Sequence, residues 1–265
     1  MTWIDALLLG IIQGLTEFLP VSSSGHLEIG SVLLGVKSSN HLLFALIVHL
    51  ATSLSTLVVF RKEIVVIIVD LFKFKWNDST KFASQIVISM IPVGIVGLLF
   101  ESEIETFFTG NLLLTGGMLI FTSALLFIPR FFREGEGSVT FMKSLLIGIA
   151  QAVAIVPGIS RSGSTIATAL ILGIERDKAA KFSFLMVLLP IIGASLLKAK
   201  NYFEAPAIYD KIDSGVLVLG FTAAFVSGYI ACNWMVRIVK KGKLIYFSIY
   251  CFLVGFIAVL SSFIL

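Results

Sequence analysis

The chain writes one polar break twice, each time inside an apolar stretch. The first copy runs Gly10-Ile-Ile-Gln13 and, nine residues on, Ser22-Ser23-Ser24-Gly25. The second runs Gly148-Ile-Ala-Gln151 and then Ser160-Arg161-Ser162-Gly163. A constant offset of 138 also aligns Leu7 with Leu145, Leu8 with Leu146, Leu34 with Leu172, Gly35 with Gly173 and Phe44 with Phe182. Non-helical backbone at membrane depth survives only where protein buries it or where it lines a wet cavity. A duplicated broken helix therefore points to a binding site near the bilayer midplane, where two internal repeats meet. The copies differ where chemistry is concerned: Glu17 and His26 occur only in the first, Arg161 only in the second.

The rest of the chain supports the bilayer reading. Of 265 residues, 57% are apolar and only 14% charged, against roughly a quarter charged in soluble domains. Crossing helices are expected at about 41–60, 83–100, 112–129, 181–199, 214–232 and 244–265, each near the length a bilayer requires. Regions 2–35 and 141–173 are broken by Pro20 and Pro157, and each half is too short to cross. They read as re-entrant helix–loop–helix hairpins. Ile64–Phe72, followed by Lys73, Lys75 and Trp76, reads as an interfacial helix. The expected fold is an all-α integral membrane protein with a single domain over 1–265, built from repeats at about 1–130 and 140–265. Each repeat holds one hairpin and three crossings. Three is odd, so the repeats are inverted and their serine loops enter from opposite sides to meet inside the membrane.

The basic residues lie between apolar blocks, where they set orientation rather than bind nucleic acid. One face collects Arg61, Lys62, Lys73, Lys75, Lys81, Arg130, Arg133, Lys143, Arg176, Lys178, Lys181, Arg237, Lys240, Lys241 and Lys243. The other holds Lys37, Lys198, Lys200 and Lys211. The rich face belongs in the cytoplasm, which puts both termini and the mouth of the first hairpin outside a cell membrane. The N-terminal stretch lacks the basic start and small-residue cleavage site of a signal peptide. Cys232 and Cys251 sit in apolar segments without metal or disulfide spacing. Gly10 and Gly14 permit close helix packing that serves the fold rather than a dimer, and a homo-oligomer stays open.

Glu17 lies within an apolar run, one turn after Gln13 on the same helix face. A carboxylate there is costly and marks a functional site; its alternative is a lock on helix packing. Ser22, Ser23, Ser24 and Gly25 follow Pro20 and should start a half-helix, with Ser as a favoured cap. Ser160, Ser162, Gly163 and Thr165 repeat the arrangement around Arg161. Two helix starts with free amides converging on one point form a phosphate cradle. His26, one turn beyond Ser22 and Ser23, is a candidate acid or base. His41 and His49 lack such company and read as structural, His49 with a weaker claim from its place in a span. Arg161 is the costliest residue to bury unpaired, and its fork of donors suits a phosphate or a carboxylate such as Glu17.

Two motifs carry a resemblance: Gln13-Gly-Leu-Thr-Glu17-Phe-Leu-Pro-Val-Ser-Ser-Ser-Gly-His26 and Pro157-Gly-Ile-Ser-Arg-Ser-Gly-Ser-Thr165. The chain resembles the undecaprenyl pyrophosphate phosphatase family, the bacitracin-resistance type, over essentially its whole length. The resemblance implies hydrolysis of a C55 polyprenyl diphosphate to the monophosphate and inorganic phosphate, recycling a lipid carrier for cell-wall synthesis. It implies Glu17, Ser23, His26 and Arg161 as catalytic residues, with Ser23 the nucleophile or a binder beside an activated water. Gln13, Ser22, Ser24, Gly25, Ser160, Ser162, Gly163 and Thr165 are implied as substrate-binding. It implies a divalent cation, magnesium or calcium, carried largely on diphosphate oxygens, with Glu17 the one candidate protein ligand. Gln13 stands where many relatives have a glutamate, so a second catalytic carboxylate is excluded there. The rival reading is a lipid or anion transporter using the same inverted-repeat site.

Overall fold

The computed structural model describes residues 1–36, 38–107, 110–193 and 212–263. Among them every regular element is helical, and the only strand-like feature is an isolated bridge between Gly137 and Ile174.

The broken segments fold as the sequence dictates. α1 (Trp3–Phe18) opens on a capping box: Thr2 Oγ1 accepts from the Asp5 amide, and the Asp5 carboxylate accepts from the Thr2 amide. It stops where Pro20 forces Leu19 into extended backbone (φ −71°, ψ 143°). α2 (Ser23–Leu33) follows and ends at Gly35, whose φ of +64° lets the Val36 amide reach the Ser31 carbonyl at 2.9 Å. The second copy repeats this glycine closure bond for bond, although its first helix stops three residues earlier. α8 (Phe141–Val153) and α9 (Arg161–Ile171) flank the second break. Gly173, at φ +73°, ends α9 with Ile174 N–H on the Ala169 carbonyl at 3.0 Å.

Between and after these lie α3 (Ser38–Val59), α4 (Arg61–Leu71), α5 (Asp78–Leu99), the short α6 (Glu101–Glu105) and α7 (Leu112–Phe127), which runs on as a 3-10 turn to Phe131. α10 (Arg176–Met186), α11 (Ser214–Lys240) and α12 (Ile245–Ser261) complete the described helices that carry labels here. Asp78–Leu99, Leu112–Phe131 and Ser214–Val239 are long and apolar enough to cross a membrane, and a fourth crossing is available if α3 and α4 count as one bent span. The chain is a multi-pass helical membrane protein.

The expected span 41–60 lies in α3, which turns through 77° into α4. α4 buries none of its residues and exposes Val65, Val66, Ile68 and Val69, the pattern of a helix lying along the membrane surface. The expected span 214–232 continues to Lys240. The expected continuous span 181–199 is corrected: its helix begins at Arg176 and breaks at Val187. Pro190 offers no amide to the Met186 carbonyl, and its ring crowds that oxygen. Helix resumes over 188–193. Residues 194–199, the end of 244–265, and the outer-face lysines Lys37, Lys198, Lys200 and Lys211 lie outside the described residues.

Lipid tails are as apolar as leucine, so helix association in a membrane rests on close packing. Gly10 and Gly14 bring α1 against α11: a Cβ on Gly10 would stand 2.6 Å from the Gly220 carbonyl oxygen. Gly148 does the same for α8 against α5, at the Ser89 carbonyl. α7 and α12 cross at Gly116 and Gly255, each backbone pressed on the other's carbonyl. Phe44 and Phe182, equivalent under the 138 offset, anchor two separate buried clusters.

Candidate active site

Each break places a serine cap and presents the next residues to one point. Ser22 Oγ accepts from the Gly25 amide at 3.3 Å, and Ser160 Oγ accepts from the Gly163 amide at 3.1 Å. Ser22 holds φ at +67°, a left-handed backbone that costs a non-glycine residue on the order of 1–3 kcal/mol and typifies functional turns. α7 clamps the second break through one hydroxyl: Thr122 Oγ1 donates to the Gly158 carbonyl and accepts from the Ser160 amide, both at 2.9 Å. The two breaks then touch. Ser162 Oγ donates to the Leu19 carbonyl at 3.2 Å. A Cβ on Gly25 would stand 3.0 Å from Gly158 Cα, so a larger residue would have to push the two breaks apart by a few tenths of an ångström.

Glu17, in the last turn of α1, is the hub. Its Oε2 accepts from Ser23 Oγ at 2.6 Å and from Gln13 Nε2 at 2.8 Å, with His49 Nδ1 at 3.5 Å. Its Oε1 is ion-paired with Arg161 Nη2. Gln13 Nε2 also meets His49 Nδ1 at 2.9 Å. The Glu17 side chain is 4% exposed and that of Arg161 27%, so the carboxylate is buried and the guanidinium reaches open space. A buried carboxylate is tolerable only with such pairing.

That space is a cavity of about 160 Å³. Its lining is polar at Thr16, Glu17, Ser22, Ser23, Ser24, His49, Gln151, Ser160, Arg161 and Ser162, and apolar at Val93, Ala154, Ile155, Ile159 and Pro190. A smaller cavity behind the ion pair is lined by Thr52, Thr56, Thr165 and Ser183, among others.

The structure gathers most of the residues singled out from sequence. Gln13 stands behind Glu17 rather than in the cavity wall, and Gly25 and Gly163 shape the loops. Thr165 faces the smaller cavity; its hydroxyl donates toward the Arg161 and Ser162 carbonyls and pairs with Ser183. It braces the first turn of α9 and does not line the larger cavity. His26 is not brought to Ser23: its Nδ1 meets the Ser22 carbonyl at 2.8 Å, its Nε2 the Tyr250 hydroxyl at 2.9 Å, and the two rings stack 5.6 Å apart. With a carbonyl for partner, the neutral ring carries its proton on Nδ1 and accepts on Nε2. His49, read as structural, stands at the hub instead. Its signal was available: His49, Thr52, Ser53 and Thr56 make a polar stripe at helical spacing through an apolar segment. Gln151 also lines the cavity.

The donor set bears on a metal ion. Among the described residues no three His, Cys, Asp or Glu side chains cluster for one. Among the described residues Glu17 is the one carboxylate lining the cavity, and the buried Oε1 of Gln13 beside it has no hydrogen-bond partner. Hard divalent cations take oxygen ligands, and magnesium commonly uses one or two carboxylates plus substrate phosphates. The residues fit an ion shared with a diphosphate.

A buried acid, hydroxyls and a guanidinium that meet where two helices start define a helical membrane protein with a site for an anionic group such as a phosphate. Residues 6–257 match the family described as bacitracin resistance protein BacA. The chain is 52% identical over 263 residues to an undecaprenyl-diphosphatase of Bacteroides fragilis, covering 99% of both chains. It is 50% identical to that of Bacteroides thetaiotaomicron (99% and 100% covered) and 36% identical to that of Methanobrevibacter smithii (99% and 98%). The chain belongs to the BacA family.

Proposed function

We infer that the protein is an undecaprenyl-diphosphatase: it hydrolyses undecaprenyl diphosphate to undecaprenyl phosphate and inorganic phosphate, which returns the lipid carrier to cell-wall synthesis and underlies bacitracin resistance. Near-full-length identity to relatives of that name supports the reaction. The geometry that carries the chemistry is Ser23 Oγ on Glu17, with Arg161 delivered to the same carboxylate from the second repeat.

The resting site is an ion pair, and the substrate competes for half of it. A diphosphate offers Arg161 more negative charge than one carboxylate, in a geometry its fork matches. The first-turn amides of α2 and α9 add donors and the positive ends of two dipoles. Once Arg161 turns to the diphosphate, Glu17 is freed of its strongest partner and becomes the base for Ser23. The Ser23 proton passes to Glu17 and Oγ attacks the terminal phosphorus. The bond to the bridging oxygen breaks, and the lipid phosphate leaves with the electron pair. Arg161 and the helix amides neutralise the charge on that leaving group. Water then attacks the phosphoserine, Ser23 regains a proton, and inorganic phosphate departs. A magnesium or calcium ion, held by diphosphate oxygens with Glu17 as the protein ligand, would supply further charge neutralisation. His26 fixes the Ser22 carbonyl and so the turn that presents Ser23.

The hairpins are re-entrant in this reading. At 1.5 Å per residue α1, α2, α8 and α9 span only about 24, 16, 20 and 16 Å, short of the roughly 30 Å hydrocarbon core. Inverted repeats explain why α1 with α11 and α8 with α5 are equivalent pairs under one offset, with the Gly116–Gly255 crossing near the axis between them. One domain over 1–265, with both termini outside, follows from that arrangement and the basic-residue bias.

The test is phosphate release from polyprenyl diphosphate by the purified protein in detergent. Wild type should release phosphate, and Ser23→Ala and Arg161→Ala should not. A wild type inert toward every polyprenyl diphosphate overturns the reading.

A further inference from the structure

Gln151 is the repeat equivalent of Gln13, yet nothing holds it. Gln13 Nε2 is shared between Glu17 and His49. Adding the offset of 138 turns Glu17 into Ile155 and His49 into Val187. Both partners are gone, and the glutamine is still there. It is 1% exposed, and neither Nε2 nor Oε1 has a hydrogen-bond partner among the described residues. Leaving a buried amide unpaired is costly, and an apolar side chain of the same shape would serve packing better. Both amide atoms are buried, so they reach open space only by a rotation of the side chain. The residue lines the cavity that Glu17, Ser23 and Arg161 also line.

Its position in that cavity says what it meets. Ile155 lies one turn beyond it, and Ile155 and Val93, from the α5 helix that packs on α8, line the cavity with it. The attacking hydroxyl, Ser23, and its base belong to the other repeat. We propose that Gln151 is a substrate-binding residue for the phosphate that stays on the lipid, beside Ile155 and Val93, which take the first isoprene units. Once the side chain turns into the cavity, its Nε2–H₂ donates to a non-bridging oxygen of that phosphate, and its Oε1 accepts from a protonated phosphate oxygen or a bound water. The assignment rests on the diphosphatase reading above.

The structure makes an unusual demand on the test, because binding and stability should move in opposite directions. Gln151→Met removes an unpaired buried amide at nearly constant volume. The variant should melt no lower than wild type, while KM for polyprenyl diphosphate rises about tenfold or more, the value of a hydrogen bond to a charged group. Inhibition by polyprenyl monophosphate, which keeps the recognised phosphate, should weaken in parallel. Inhibition by inorganic phosphate should not change. Gln151→Glu, nearly isosteric but anionic, should raise KM at least as far. An unchanged KM and monophosphate inhibition in both variants overturns the proposal. So does a melting temperature several degrees lower in Gln151→Met, which would make the residue structural, or equal loss of inhibition by inorganic phosphate, which would place it on the wrong phosphorus. A wild-type protein that releases no phosphate would instead count against the diphosphatase reading.

Discussion

Arg161 opens α9 and Glu17 closes α1, 144 positions apart, and they form one ion pair where the two serine breaks touch. The pair closes the contact between the repeats and stores both charged groups in usable form. Removing one member leaves the other buried and uncompensated.

Arg161→Ala should therefore lose at least about a hundredfold in kcat/KM, since two or more charge-assisted hydrogen bonds to the diphosphate disappear. It should also lose stability, by about 3 kcal/mol, the low end for breaking a buried pair because Arg161 is 27% exposed. Adding Glu17→Gln should restore the melting temperature while leaving the enzyme inactive. A double variant no more stable than Arg161→Ala would show that the pair does not carry the contact.

Ser23→Ala should abolish turnover, by about a thousandfold or more, with little change in melting temperature. Ser24→Ala, whose hydroxyl meets Ser22 at 3.3 Å and not Glu17, should keep measurable activity. Rapid acid quenching of wild type with labelled substrate should leave phosphate on the peptide containing Ser23. Label absent from that peptide under conditions of full turnover would favour water as the nucleophile.

His26 supports the site through the Ser22 carbonyl, so a donor at the Nδ1 position should suffice. His26→Asn, which can keep that bond, should retain clearly more activity than His26→Ala. Equal and complete loss in both variants would instead make the ring a direct proton carrier. His49→Ala should lower kcat, because it removes one of the groups around Glu17.

The two serine breaks were legible in the sequence because their signals are local: proline stops a helix and serine starts one. The repeat carried those signals twice, which made the meeting of the two breaks an expectation. Glu17 and Arg161 were legible through cost, since neither is tolerated in a bilayer without a partner. What stayed hidden depends on rotation and distance. Whether His26 faces Ser23 or Tyr250 is a matter of one side-chain direction that spacing does not encode. His49 joins the hub from a fourth helix, and Gln151 is informative only through the absence of neighbours. The break at Val187 was written as Pro190 but was masked by an uninterrupted apolar run.

Close helix crossings give a prediction with an internal control. A Cβ on Gly14 would collide with Ser227 Oγ and stand 2.6 Å from the Ala224 carbonyl oxygen, whereas a Cβ on Gly94 meets nothing within 4 Å. Gly14→Ala should destabilise by about 1–3 kcal/mol through overpacking. It should also depress activity, because α1 carries Glu17. Gly94→Ala should be neutral or mildly stabilising, since alanine narrows the unfolded ensemble of a helical position. Matching losses in the two variants would mean that α1 and α11 do not cross as closely as described.

Orientation is tested by cysteine labelling, for which the protein is well suited. Cys232 and Cys251 are both 0% exposed, so the native chain should be nearly silent to a membrane-impermeant maleimide. If the rich basic face lies in the cytoplasm, Lys75→Cys should label only after the cells are opened. Thr2→Cys should label from outside in intact cells, together with the mouth of the first hairpin. An inverted repeat with three crossings per copy would bring the C-terminus back to the face of the N-terminus. A cysteine near the described C-terminal end, as in Phe263→Cys, should therefore label like Thr2→Cys. Opposite labelling of those two positions would remove the inverted repeat, and labelling of Lys75→Cys from outside would reverse the whole assembly.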